Sequence, residues 1–301
     1  MAERDYLSEI RRLWALQLRR GGTPLEPADL LLCASDREAV ELALGRLVQP
    51  GDVVLWAEPM PGQAALTTLA AGARYLDVGR AHQGLPDAAA VALALQTHPH
   101  AVFWGEVPAL TCADDLAGPA ALPARARIAD CTAAAWDTEL PDADACVLAL
   151  RDPDSPGEPM LYGVATRPGW GSDLESLHGR GHFSERAQLH ALAVLEGLAE
   201  QPRWPDHRRT EAADLAAQFF QAARDWPGAV PAGQFGLRAA VRCLAGDPHD
   251  LAVRLHPQFL QLRALPAHPA GSLLWLDLTG QLPLRHWQAN GQTFDHKQGG
   301  G

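Results

Sequence analysis

From Leu30 to Thr166 the chain alternates short apolar runs with longer amphipathic ones. "LLLCAS", "VVLWAE", "ARYLDV", "AVFWGE", "ARIAD", "CVLAL" and "LYGVAT" read as strands. Between the first two, "DREAVELALGRLVQPGD" puts Val40, Leu44, Leu47 and Val48 on one helical face and closes at a Pro50-Gly51-Asp52 turn. "GQAALTTLAAG" reads as a helix closed by Gly72, and "PDAAAVALALQT" as a helix with Pro86 near its first turn. A shorter helical stretch, "DDLAGPAAL", is weakened by Gly118 and Pro119. Seven such strands with helices between them predict an α/β sheet, mostly parallel and covered on both faces. Sheets of this kind place ligands beyond the carboxyl ends of their strands. That directs attention to Ser35–Arg37, Glu58–Gly62, Glu106–Pro108, Asp130–Thr132 and Arg151–Gly157.

Ahead of the sheet, Arg11, Arg12, Arg19 and Arg20 alternate with Leu13, Leu16 and Leu18, which predicts an amphipathic helix with a solvated basic face. Past "GWGSDLESLHGRGHF" the rhythm changes. "SERAQLHALAVLEGLAEQ" reads as a helix. A second helix begins near Asp206, with Ala212, Leu215, Ala216, Phe219, Phe220 and Ala223 at helical spacing. "FGLRAAVRC" and "GSLLWLDLTG" read as strands. The expected organisation is a large α/β domain over residues 1–175 and a smaller α+β domain over 176–301.

Composition narrows the classes. With 301 residues, 47% of them hydrophobic, the chain is long enough for a large core. Its net charge of −11 shows no basic stripe, so nucleic acid is not an expected partner. The first residues are charged and no apolar run approaches the ~20 residues of a membrane span. A cytoplasmic protein is expected, without a signal peptide or membrane partner. Cys33, Cys112, Cys131, Cys146 and Cys243 form no CxxC pair, and buried free thiols are expected. Among 25 basic residues the only lysine is Lys297, in the tail "DHKQGGG".

Few motifs carry chemistry on their own. His178 and His182 have a helical spacing, but Gly179 and Gly181 oppose a helix and no metal site is expected. "DPDS" at Asp152–Ser155 reads as a turn before it reads as a cation loop. The chain has no GxSxG elbow, GxxxxGK[ST] loop or GxGxxG turn.

Several stretches, in order and spacing, carry a resemblance. They are "CASDREAVELALGRLVQPGDVVL", "HPHAVFWGEVP", "ARIADCTAAAW" and "LHALAVLEGLAEQPRWPDHRRTEAADLAAQF". Together they resemble the fold type I pyridoxal-phosphate enzymes, and within them the Cys/Met-metabolism (cystathionine synthase/lyase) group, with the broader aminotransferases next. The resemblance implies a seven-stranded, mostly parallel sheet flanked by helices, with a smaller C-terminal domain. It places Asp130 at the cofactor's pyridinium nitrogen and Thr132 at the threonine two residues on. The phosphate turn, Ser-Ser-Gly-Met in the family, reads Ala34-Ser35-Asp36-Arg37 here. Asp36 replaces the glycine beside a dianion, and Arg37 stands next to it as a candidate compensating charge. The ring-stacking tyrosine corresponds to Met60 or Pro61.

The Schiff-base lysine falls on Arg151 or Asp152, according to whether one counts back from Gly163 or forward from Asp144. Arginine stays protonated, with a pKa above ~12, and a carboxylate has no amine, so neither forms the link. Lys297 is too far along the chain to be expected as a substitute. The family segment carrying the substrate-carboxylate arginine also has no counterpart after "GSLLWLDLTG".

Lysine, stacker, glycine turn and clamp depart together, which implies a non-catalytic relative acting as a binding scaffold. No covalently held cofactor is expected, and pyridoxal phosphate becomes a doubtful ligand. The resemblance also implies a homodimer or a pairing with a related enzyme. Two alternatives stand beside this reading. One is an active transsulfuration-type lyase, synthase or aminotransferase. The other is a protein holding a small anion through Ser35, Arg37 and Arg151.

Overall fold

The computed structural model describes residues 5–57, 62–79, 88–106, 124–133, 139–154, 159–170, 182–200, 204–235, 237–259, 261–268 and 271–278. Its first element is helix α1 (Tyr6–Arg20), where Asp5 caps the N-terminus by accepting from the Ser8 N–H. Ile10, Leu13, Trp14 and Leu18 form its buried stripe. A single 3₁₀ turn (Pro27–Asp29) then leads into the sheet.

Each predicted strand is present: β1 (Leu30–Cys33), β2 (Val53–Trp56), β3 (Arg74–Asp77), β4 (Val102–Glu106), β5 (Ala126–Cys131), β6 (Ala145–Leu150) and β7 (Leu161–Thr166). Helices α2 (Asp36–Leu47), α3 (Gly62–Ala70) and α4 (Ala88–Thr97) connect the first four. The seven strands run in the order β1-β7-β6-β5-β4-β2-β3. β7 is antiparallel to both neighbours, Leu31 lying opposite Val164 and Val147 opposite Val164, and the remaining pairs are parallel. Because β7 reverses direction, β1 and β6 point the same way, so the carboxyl ends of β1, β4, β5 and β6 share one edge.

Both faces of the sheet are buried except along the edge strand β3, whose four residues are exposed, which is why the other strands read as near-continuous apolar runs. On one face Leu31, Val54, Trp56, Trp104, Ile128 and Val147 pack with α2 and α3. On the other, Leu30, Leu32, Cys131, Cys146 and Leu148 pack with α1 and with helix α5 (Glu185–Glu200), through Leu192, Leu195 and Leu198. Arg20 in the last turn of α1 also donates to the Ala199 carbonyl of α5, at 3.2 Å. Val53, Leu55 and Phe103 pack with Val91 and Leu95 of α4. The "DDLAGPAAL" helix and Pro86 lie outside the described residues.

Helix α6 (Trp204–Ala223) covers a second sheet, in the order β10-β11-β9-β8 and antiparallel throughout. Its strands are β8 (Ala229–Phe235), β9 (Arg238–Cys243), β10 (Leu262–His268) and β11 (Gly271–Asp277), with helix α7 (Pro248–Leu255) between β9 and β10. Ala212, Ala216, Phe219 and Ala223 of α6 meet Leu237, Ala239, Val241, Leu274 and Leu276. The sequence predicts the two central strands, β9 and β11, and misses the two edges. Both edges contain a proline, Pro231 in β8 and Pro266 in β10, and both have a register shift, as fits a residue that cannot donate to a ladder. Helix α7 is a single short element opened by Pro248 behind an Asp247 cap, too brief to show a period.

Among the described residues no helix is long and apolar enough to cross a membrane. Cys33, Cys131, Cys146 and Cys243 are buried free thiols, and Cys112 lies outside the described residues. Burial pushes the Cys33 and Cys131 thiols well above the ordinary thiol range.

Candidate functional site

The shared carboxyl edge brings Ser35, Asp36, Asp130, Thr132 and Arg151 to one end of the sheet, and Met60 lies outside the described residues. Asp130 ends β5 between Glu106 of β4 and Val147 of β6. It is buried, and its Oδ1 accepts from the Thr132 N–H at 3.0 Å and the Thr132 hydroxyl at 2.6 Å. Thr132 therefore fixes the direction of the carboxylate. The two residues anticipated from "ARIADCT" act as one unit.

The N-terminus of α2 is closed by the chain itself. Ser35 caps the helix by accepting from the Glu38 N–H at 3.2 Å, and the Glu38 carboxylate reaches back past the cap to accept from the Ala34 N–H at 2.6 Å. Asp36 follows in the first turn. Burial, with Asp130 nearby, raises its carboxyl above the usual carboxylate range, and Arg238 opposes that rise. Arg37 is directed elsewhere. One helical turn on, its Nε donates to Glu41 at 2.7 Å, with 70% of the arginine side chain exposed. The charge that answers Asp36 comes from residue 238, two hundred positions away.

Arg151 follows β6 and is half-buried. Burial lowers its guanidinium from the ordinary range, Asp277 and Tyr162 raise it, and Arg238 adds to the lowering. Asp152 faces away from this group. Its Oδ2 is 3.0 Å from His190 Nε2 on α5, and its Oδ1 accepts from the Asp154 N–H at 2.8 Å. Behind it, Arg208 of α6 is 1% exposed. Arg208 donates to the Asp154 carbonyl at 3.0 Å and to Glu211 at 2.6 Å, and lies 3.7 Å from the Asp154 carboxylate. Two helices thus hold the loop that follows β6.

The small sheet closes onto this edge. The Leu237 N–H donates to the Ala133 carbonyl at 3.1 Å, and the Leu278 N–H donates to the Leu237 carbonyl at 2.9 Å. This places Arg238 and Asp277, opposite each other on β9 and β11, at the end of β5. The Arg238 guanidinium lies 5.4 Å from the centre of the Trp275 ring.

Sequence reasoning missed Arg208, His190, Arg238 and Asp277. Arg208 left a trace, four residues before Ala212 on the buried stripe of α6. Arg238 and Asp277 left none, because their place depends on how one sheet docks on the other. Among the described residues no group of three or more His, Cys, Asp and Glu side chains could hold a metal; His178 lies outside them.

No model of a known protein family matches the chain, nor does any characterised protein sequence. Solved structures do. A histidinol-phosphate aminotransferase of Sinorhizobium meliloti, in complex with pyridoxal-5'-phosphate, is 16% identical, with a TM-score of 0.66 over 92% of this chain and 81% of its own. An aspartate aminotransferase of Rhodobacter sphaeroides is 20% identical, with a TM-score of 0.66 over 92% and 79%. An Escherichia coli protein with a methionine aminotransferase function is 14% identical, with a TM-score of 0.68 over 90% and 80%.

These neighbours change two expectations. Their shared fold fits the fold type I expectation and does not support the narrower Cys/Met-metabolism group. They also overturn the expectation of no covalent cofactor and a doubtful pyridoxal phosphate. The histidinol-phosphate aminotransferase was solved with that cofactor bound. The residues here fit the group in part: Asp130, steadied by Thr132, suits a protonated ring nitrogen, and Arg151 and Arg238 supply positive charge. The sequence's one lysine, Lys297, lies outside the described residues. In architecture, a mostly parallel seven-stranded sheet flanked by helices beside a small antiparallel sheet, the chain shares the fold of these solved aminotransferase structures.

Proposed function

We propose that the chain binds pyridoxal phosphate at the carboxyl edge of its large sheet and works in amino-group transfer. The observation that carries this reading is Asp130, buried at the end of β5 and held by Thr132, in a fold shared with aminotransferases. Bound there, pyridoxal phosphate supplies an electron sink for carbanion chemistry beside an amino group. The protein's own part is to bind and orient. Asp130 accepts a hydrogen bond from the ring nitrogen and keeps the proton on it. Thr132 keeps the carboxylate from turning away. Arg151 and Arg238 hold anionic groups, and the small sheet, tied down at Leu237, limits the entry of water.

A second reading rests on Arg151 and Asp152, which stand after β6 where the resemblance places a lysine. It keeps the ligand and drops the turnover, leaving a binding scaffold. One experiment separates the two. Purified protein is titrated with pyridoxal phosphate, followed in the visible spectrum, reduced with borohydride and mapped by mass. It is then incubated with amino acids and the keto acids are assayed. Saturable binding that is weakened tenfold or more in Asp130→Ala, together with keto-acid formation, supports transfer. Binding without amino-group exchange supports the scaffold. No saturable binding overturns both.

A further inference from the structure

On the side away from β1, the large sheet ends at an unguarded strand. Sheet edges carry amides and carbonyls with no strand to pair them, and proteins commonly blunt such edges with cover, proline or bulges. Among the described residues the two sheets have four edges. β1 is buried along its whole length, and β8 and β10 each carry a proline and a register shift. β3 has none of these devices. All four of its residues are exposed, and its sequence, Arg74-Tyr75-Leu76-Asp77, sets two large apolar side chains between two opposite charges. Tyr75 is 42% and Leu76 39% exposed. Leu66 and Leu69 on α3, the helix that leads into β3, and Leu93 on α4 are each more than half exposed. Helix α3 packs on the sheet face of Trp56 and α4 on the face of Leu55, so exposed leucines stand on both sides of this end of the sheet. Contiguous apolar surface of this kind marks an interaction site.

The backbone and the charges together select the occupant. The Arg74 and Val78 N–H groups donate to the Asp52 and Trp56 carbonyls, on the β2 side. Alternation along a strand therefore turns the amide and carbonyl of Tyr75 away from β2, toward the open edge. The Tyr75 ring stacks on Trp56, 5.8 Å between centres, which steadies the middle of the strand. In an antiparallel pairing of β3 with a second copy of itself, a two-fold axis at Arg74 or at Asp77 would set like charges face to face, which is destabilising. An axis at Tyr75 avoids both. It makes Tyr75 and the second copy's Tyr75 a doubly hydrogen-bonded pair. It also sets Leu76 against the apolar stem of the second copy's Arg74, and Asp77 against Ala73.

We propose that β3 is a self-association edge, through which two copies of the chain pair antiparallel about a two-fold axis at Tyr75 and join their large sheets into one. The contact is isologous, so it closes at two copies per seam and does not propagate. The end charges, Arg74 and Asp77, set the register, and the apolar pair between them supplies the contact. This inference stands independently of the cofactor reading, because β3 lies at the opposite end of the strand order from β7 and β1 and contributes no residue to the candidate site.

The test follows the average mass of the full chain by sedimentation equilibrium across a range of concentrations, with circular dichroism melts to show that each variant is folded. The unmodified chain is expected to self-associate. Leu76→Lys sets a lysine opposite the second copy's Arg74 and is expected to raise the dissociation constant tenfold or more. Leu76→Glu sets a carboxylate there instead and is expected to stay within about threefold of the unmodified chain. Tyr75→Pro removes the outward amide without touching a bond to β2, as an edge strand tolerates, and is expected to weaken association tenfold or more. An unmodified chain that stays a single copy at every concentration overturns the proposal. Association that survives both Leu76→Lys and Tyr75→Pro also overturns it, by locating the contact elsewhere on the molecule. Equal loss in Leu76→Lys and Leu76→Glu overturns it too, as the mark of an apolar patch without strand register. Should Tyr75→Pro not fold, the two Leu76 variants decide alone.

Discussion

Arg208 and Asp36 show how a single charged group behaves when the fold encloses it. Arg208 lies on the buried stripe of α6, against Asp154 and Glu211. Removing one partner of such a set leaves the others enclosed without compensation, at a cost of about 3–5 kcal/mol. Arg208→Ala is expected to lower the urea midpoint accordingly. Replacing the set together, as Arg208→Met/Asp154→Asn/Glu211→Gln, is expected to recover most of that loss. Asp36 has the opposite character. Its carboxyl is raised by burial and by Asp130, so the folded state favours the protonated form. The stability this gives is fully present below the unfolded carboxyl pKa of ~3.9 and is lost as pH rises through the raised native value. Asp36→Asn, which keeps the neutral form at every pH, is therefore expected to gain stability over the unmodified chain at pH 7. That gain should vanish in denaturant melts near pH 3.

At the scale of elements, α1 approaches β7 closely at Gly163. A Cβ built on Gly163 would meet two ring atoms of Trp14 at 3.1 Å and Leu30 Cδ1 at 3.3 Å. Gly163→Ala is expected to destabilise by about 1–3 kcal/mol through overpacking, and Trp14→Leu in the same chain to relieve part of it; thermal melts of the two variants and the unmodified chain check this. The elements also show what the sequence could disclose. The inner strands of the large sheet were legible because burial on both faces turns each into a largely apolar run, whereas the edge strand β3 (RYLD) is exposed throughout. Asp130 and Thr132 were legible because a strand end in such a sheet is a natural place for ligand contacts. The edge strands β8 and β10 were hidden by Pro231 and Pro266, and the direction of Arg37 by the helical turn that delivers it to Glu41. The approach of Arg238 to the end of β5 was not legible at all, since no local pattern records how one sheet docks on another.

For the molecule as a whole, the reversed strand β7 and the late helix α5 decide the order in which the chain becomes self-sufficient. The apolar stripe of α1 emerges first, yet the helix that covers it comes more than 150 residues later. At a synthesis rate of ~5–20 residues per second, roughly ten to thirty seconds pass before the two meet. Until then β1 also waits for its neighbour, because Leu30 to Cys33 pair only with Tyr162 to Ala165. A nascent chain therefore carries the uncovered apolar stripe of α1 until α5 has been made. A chain cut between α1 and α5 is expected to aggregate where the full chain stays dispersed, which sedimentation of the two refolded from urea would check.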